Sequence, residues 1–61
     1  MTWTFKHGVW ICDPFSIVLE VCERRRLAYF ELYDTTRFVK AFAGLREAQE
    51  HAQSLGWSVA S

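Results

Sequence analysis

The chain lacks a net charge, because seven Lys and Arg residues offset seven Asp and Glu residues. A protein whose main task is to grip phosphate backbones carries a clear positive excess, so this balance argues against nucleic-acid binding as the leading role. It also weakens solubility and eases association. Glycine is scarce at three residues, which leaves no glycine-rich loop to cradle a phosphate. There is one proline, and the two cysteines stand alone, so neither a disulfide framework nor a Pro-rich linker is present. Long apolar runs are missing too. The longest strictly aliphatic stretch, Ile17-Val18-Leu19, is far too short to cross a bilayer. The start, Met1-Thr2-Trp3-Thr4-Phe5-Lys6, lacks the basic stretch and apolar segment of a secretory signal. The expectation is a cytoplasmic protein with no membrane partner, in which Cys12 and Cys22 are reduced thiols packed as small hydrophobes.

What the chain does have is aromatic mass: three Trp, two Tyr and five Phe in 61 residues. Residues 1–61 make one domain, and a hydrophobic share of 51% is rich enough to fold it. A domain this small buries only about 60% of the surface its unfolded chain exposes. Some of Trp3, Phe5, Trp10, Phe15, Tyr29, Phe30, Tyr33, Phe38, Phe42 and Trp57 are therefore expected to stay partly outside. Rings left at a surface mark a contact site, since they bring large apolar area with little freedom to lose. Chains of this length also gain from a dimer or a permanent partner.

The clearest element is a helix over 45–55. Leu45, Ala48, Ala52 and Leu55 recur at three- and four-residue intervals and make one apolar stripe, opposite Arg46, Glu47, Gln49, Glu50, His51 and Gln53. Gly44 serves as the N-cap, Glu47 sits in the first turn, and Gly56 is placed to end the helix with Trp57 folding back onto the last turn. Upstream the period changes. Phe15, Ile17, Leu19 and Val21 alternate with Ser16, Val18, Glu20 and Cys22, and Ala28, Phe30 and Leu32 alternate with Leu27, Tyr29, Glu31 and Tyr33. Glu23-Arg24-Arg25-Arg26 makes the hairpin tip between these strands. Asp13-Pro14 breaks the chain before the first, with Pro14 suited to the second position of a turn. Val9 to Cys12 and Arg37 to Phe42 read as further strands, the latter after a turn at Asp34-Thr35-Thr36. His7-Gly8 is a bulge or turn after Trp3-Thr4-Phe5, so residues 1–12 read as one strand or two. A rival reading makes Pro14 to Tyr33 one long helix, but β-branched Ile17, Val18 and Val21 and the ring cluster Tyr29, Phe30 and Tyr33 favour strands.

The expected architecture is α+β: a three- to four-stranded antiparallel sheet with one C-terminal helix packed on one face. The helix covers the side with Ile17, Leu19, Val21, Phe30 and Leu32. The reverse side presents Val18, Leu27, Tyr29, Tyr33 and one or both of Trp3 and Trp10, and such an uncovered face meets a copy of itself or another protein.

Chemistry is sparse. His7, Cys12, Cys22 and His51 lack the close pairs of a zinc site, so no metal and no cofactor is expected. Nothing resembling a nucleophile elbow surrounds Cys12, and Glu20 and Glu31 read as a solvated face with arginines near, so no catalytic residue is assigned. The arginine run at the hairpin tip, with Arg37 and Lys40 adjoining and Tyr29 and Phe30 beside it, suits stacked single-stranded nucleic acid or an acidic partner protein.

The run Phe38-Val39-Lys40-Ala41-Phe42-Ala43-Gly44-Leu45, continuing through the Leu-x-Glu-Ala-x-x-x-Ala helix to Trp57, resembles the strand-to-helix ending of small phage and mobile-element proteins. It is similar too to the sheet-and-helix modules of some antitoxins. The resemblance covers about the last third of the chain and brings no site residue with it. What it implies is a phage-encoded, anti-CRISPR-like inhibitor that blocks a bacterial defence complex by occluding its surface. The expected function is therefore a non-enzymatic protein-binding module acting by stoichiometric masking of a host protein or complex. Its anchors would be Trp3, Trp10, Tyr29 and Tyr33, with Arg24, Arg25 and Arg26 as charged contacts. The alternative is a single-stranded nucleic-acid binder using the same arginines and the sheet rings, and a homodimer is a third possibility.

Overall fold

The computed structural model describes residues 2–60, with side chains placed for residues 2–56. Five antiparallel strands, paired in the order the chain makes them, are followed by one helix. They are β1 (Thr4–Lys6), β2 (Val9–Cys12), β3 (Phe15–Cys22), β4 (Leu27–Asp34) and β5 (Arg37–Phe42), and the helix is α1 (Leu45–Ala60). The α+β class is as expected, but the sheet has five strands where three to four were expected. The difference lies in residues 1–12, which hold two strands. His7 (φ 52°) and Gly8 (φ 79°) both take the left-handed conformation, which makes a two-residue hairpin turn matched to the twist of its flanking strands. The rival long helix over Pro14 to Tyr33 is replaced by β3 and β4, which pair along their whole length from Phe15↔Asp34 to Cys22↔Leu27.

The core forms where the two periodicities meet. Phe15 and Ile17 on β3, Leu32 on β4, and Ala48 and Ala52 on α1 are buried, with Ile17 and Leu32 fully so. Leu45 and Leu55 complete the helical stripe, and Trp3, Trp10, Phe30, Val39 and Phe42 pack around the cluster. The small methyls of Ala48 and Ala52 let the helix lie close to the sheet, directly over the Ile17↔Leu32 pair. Gly44 accepts the first helical bond, from the Ala48 N–H at 3.3 Å, as an N-cap does. At the other end the helix runs through Gly56 to Ala60, so Gly56 is not its terminator. Glycine alone does not stop a helix, and Ser58, Val59 and Ala60 offer no proline to enforce a stop. The expected return of Trp57 onto the last turn concerns a side chain outside the described ones.

Two turns are tied together at one end of the sheet, where the Thr35 N–H in the β4–β5 turn donates to the Pro14 carbonyl in the β2–β3 turn at 2.7 Å. Pro14 occupies the third position of its turn rather than the second, after a cis Asp13–Pro14 bond. Cys12 lies opposite Phe15 and Cys22 opposite Leu27. Alternation along the strands puts the two on opposite faces, and both thiols are free.

The opposite end is less supported. β2 pairs with β3 only as far as Val18, and β5 pairs with β4 only from Phe30 onward. From Leu19 to Tyr29 the chain is therefore a two-stranded ribbon with no flanking strand, tipped by Glu23 to Arg26. This overhang helps to stretch the molecule to 42 Å along one axis against 20 Å along the other two.

Candidate protein-binding surface

The helix packs on β3, β4 and β5 from one side, which leaves the other face of the sheet without a covering element among the described residues. Strand register fixes what that face carries. One row runs Thr4, Ile11, Ser16, Tyr33 and Phe38, the next runs Lys6, Val9, Val18, Glu31 and Ala41, and beyond them lie the pairs Glu20↔Tyr29 and Cys22↔Leu27. Tyr29, Tyr33, Val18 and Leu27 are thus where the sequence placed them.

Trp10 is not. It pairs with Ile17, the most buried residue of β3, and so shares the helix-covered face. Its indole sits 4.7 Å from the Phe5 ring and 5.7 Å from the Phe30 ring, centroid to centroid. Trp3 also packs against the core cluster. Both tryptophans therefore leave the open face, which takes Val9 and Ile11 from β2 instead. The cause is one of register, since a strand that puts Trp10 opposite Ile17 must turn its odd-numbered residues the other way.

Phe38 is the open-face ring that the sequence did not single out. It is 50% exposed and meets Tyr33 edge-on at 5.7 Å and 73°. In an unbroken strand Phe38, Lys40 and Phe42 would share a face. The irregularity opposite Leu32 and Tyr33, where one extra residue enters β5, sends Phe38 to the open face and Phe42 to the helix. No local signal in 37–42 marks that insertion. Lys40 consequently stands over the Phe42 ring at 5.5 Å on the helix side, and Arg37 pairs with Asp34 at the far end of the sheet. Neither adjoins the arginine tip, contrary to the expectation from the sequence.

Arg24, Arg25 and Arg26 are all exposed at the end of the ribbon, where Arg26 takes a left-handed φ of 52° and its N–H donates to the Glu23 carbonyl at 3.3 Å. The open face itself is acidic at its centre, with Glu20 opposite Tyr29 and Glu31 opposite Val18. The Tyr33 hydroxyl donates to Glu31 Oε1 at 3.5 Å, the weak limit of such a bond. Desolvation first, then the carboxylates of Glu31 and Glu20, push the Tyr33 hydroxyl above its ordinary pKa of 10.0. Tyr29 and Phe30, proposed above as one stacking surface, are neighbours in a strand and point to opposite faces.

The metal-ligating residue types are scattered. His7 lies in the β1–β2 turn, Cys12 and Cys22 lie at opposite ends of β3's pairings, and the His51 ring rests on Phe42 at 5.3 Å. Among the described residues, no three His, Cys, Asp or Glu side chains gather where they could hold an ion. A shallow groove near the tied turns is lined in part by Lys6, His7, Val9, Ile11, Asp13 and Thr35, and it opens broadly to solvent. Among the described residues, no helix is long and apolar enough to cross a membrane. Comparisons with protein-family models, with curated proteins and with solved structures return no match. What the surface offers chemically is contact: Tyr33 and Phe38 on the five-stranded part of the sheet and Tyr29 on the ribbon, with carboxylates between them and guanidinium groups at one end.

Proposed function

We propose that this chain is a non-enzymatic protein-binding module that masks a partner protein through the open face of its sheet. The observation that carries the reading is that α1 packs on one side only, leaving Tyr29, Tyr33 and Phe38 on a face that nothing else in the described chain covers. Rings on a sheet are pre-positioned and lose little freedom on docking, which favours them as anchors. Glu20 and Glu31 among the rings, and Arg24 to Arg26 at the end, orient the partner through charge. The biological setting we propose is that of a phage or mobile-element inhibitor occluding a host complex, an idea supported by the likeness of residues 38–57 to endings in such proteins. Trp3 and Trp10 act in this reading as supports of the fold rather than anchors, because they pack with the core. Carboxylates beside both tyrosines repel phosphate, which weighs against single-stranded nucleic acid on this face.

The test is affinity capture from a bacterial host lysate with the wild type, Tyr29→Ala and Tyr33→Ala in parallel, alongside a solution mass. A protein retained by the wild type and lost from both variants, each still folded, supports the reading. Retention unchanged in the variants refutes it. A stable homodimer that dissociates in the variants replaces the host partner with a second copy. Binding of mixed oligonucleotides at low salt, lost when the arginines are neutralised, replaces it with nucleic acid.

A further inference from the structure

A second surface lies on the helix side, where α1 stops short of covering the sheet. Five strands about 4.8 Å apart make a layer about 19 Å wide, whereas one helix with its side chains is about 10–12 Å across. α1 leaves β5 beside Phe42 and packs by Leu45, Ala48, Ala52 and Leu55 over Ile17 and Leu32. Next to it remains a diagonal band of the same face, from Phe5 and Trp10 through Leu19 and Phe30 to Val21. Cross-strand pairs and ring contacts make the band continuous: Phe5↔Trp10, Trp10 against Phe30, and Leu19↔Phe30. Phe5 is 60% exposed, Leu19 42% and Val21 62%, so three of the five large exposed apolar residues lie here and not on the open face. The residues of the band carry no charge, and two residues beyond Val21 the chain enters the exposed hairpin tip, where Glu23 is followed by Arg24, Arg25 and Arg26, a net positive end.

We infer that this band is the seat of an acidic amphipathic helix supplied by a partner protein, lying alongside α1 as the missing half of the helical layer. Three features choose that occupant. α1 packs on β3, β4 and β5 and rises a helix's height above the same face, which hinders a flat sheet from reaching the band while a rod of helical diameter can lie there. Its length, about four residues along the strands and two strand spacings across them, is on the order of 16 Å, or about three helical turns. The guanidinium groups at its end select acidic residues on the entering helix. The helix of a second copy does not suit, because its apolar stripe is already spent on its own sheet and its outer face shows Arg46, Glu47, Glu50 and Gln53. This surface lies on the opposite side of the sheet from Tyr29 and Tyr33, so its apolar contacts are tested apart from the open-face reading, although both draw on Arg24 to Arg26 for charge.

The probe is a synthetic peptide of about four turns with Leu at helical spacing on one face and Glu on the other. It is titrated into the full chain by calorimetry, beside a Lys-for-Glu version and a version with the same composition and scrambled spacing. Saturable one-to-one binding of the acidic amphipathic peptide is expected, weakened at least tenfold by Leu19→Ser with Val21→Ser and by raised salt. Tyr29→Ala leaves it unchanged, because that ring points to the other face. Circular dichroism of each variant keeps loss of binding separate from loss of fold. Equal affinity for the Lys or scrambled peptide, no binding of any, or binding abolished by Tyr29→Ala and untouched by the Leu19 and Val21 changes would overturn the assignment. So would a wild-type dimer in sedimentation that Leu19→Ser with Val21→Ser disperses, since the band would then belong to a second copy.

Discussion

Leu32 and Tyr33 are adjacent in β4 and face opposite ways, so truncating each to alanine tests the division of the sheet directly. Leu32 is fully buried against Ile17, Ala48 and Ala52. The gap fills only in part, because the two alanines have no side chain to extend and Ile17 is held by its β-branch, leaving the larger side chains around the cluster to relax. Leu32→Ala should therefore cost about 2–5 kcal/mol, the range for a buried leucine that leaves a cavity. Tyr33→Ala removes one edge-on contact with Phe38 and a hydrogen bond at its weak limit. That loss is about 1 kcal/mol. A chain of 61 residues has a total stability of about 3–9 kcal/mol. Leu32→Ala thus takes a large part of the whole, while Tyr33→Ala leaves a folded protein. Urea unfolding followed by circular dichroism separates them. With a slope of about 1 kcal/mol per M for so small a domain, the midpoint moves by about 2–5 M in one case and about 1 M in the other. A Tyr33→Ala loss as large as that of Leu32→Ala would mean that the open face is part of the core, and the proposed binding surface would go with it.

Two further outcomes follow from local geometry. Tyr33 should ionise above its ordinary pKa of 10.0, and Glu31→Gln should lower its titration, read by ultraviolet absorbance. The unfolded chain loses this proton first, so the contribution to stability is complete below pH 10 and is lost as pH rises through the folded value. Gly8→Ala should destabilise the β1–β2 hairpin by about 1–2 kcal/mol through its left-handed backbone alone, because an added Cβ there meets nothing within 4 Å. A lower thermal midpoint checks that, and an unchanged one refutes it.

The sequence made the pieces legible and their overlaps much less so. The three- and four-residue spacing of Leu45, Ala48, Ala52 and Leu55 announced the helix, and alternation from Phe15 to Tyr33 announced a hairpin with Arg24 to Arg26 at its tip. The partners Cys12↔Phe15 and Cys22↔Leu27 follow from short turns whose length fixes the register. Trp10 was misplaced because its face depends on β2 meeting Ile17, a relation between strands and not a property of either. Phe38 was missed for a similar reason, as one inserted residue in β5 reverses the faces on its two sides. Gly56 was read as a stop although glycine within a helix costs only about 1 kcal/mol. The exposed band beside α1 was hidden most deeply. It depends on β2 and β5 being shorter than β3 and β4, and on a single helix being narrower than five strands.

The bond from Thr35 to the Pro14 carbonyl gives the molecule a root and a free tip. At the root two loops are clasped and four strands converge, while at the far end a lone pair of strands bears three guanidinium groups beyond any lateral brace. Such a ribbon bends like a cantilever, with amplitude growing toward the arginines, because a two-stranded hairpin has little rigidity of its own. Tyr29 rides on that ribbon, whereas Tyr33 and Phe38, nearer the root, sit in a row that crosses all five strands.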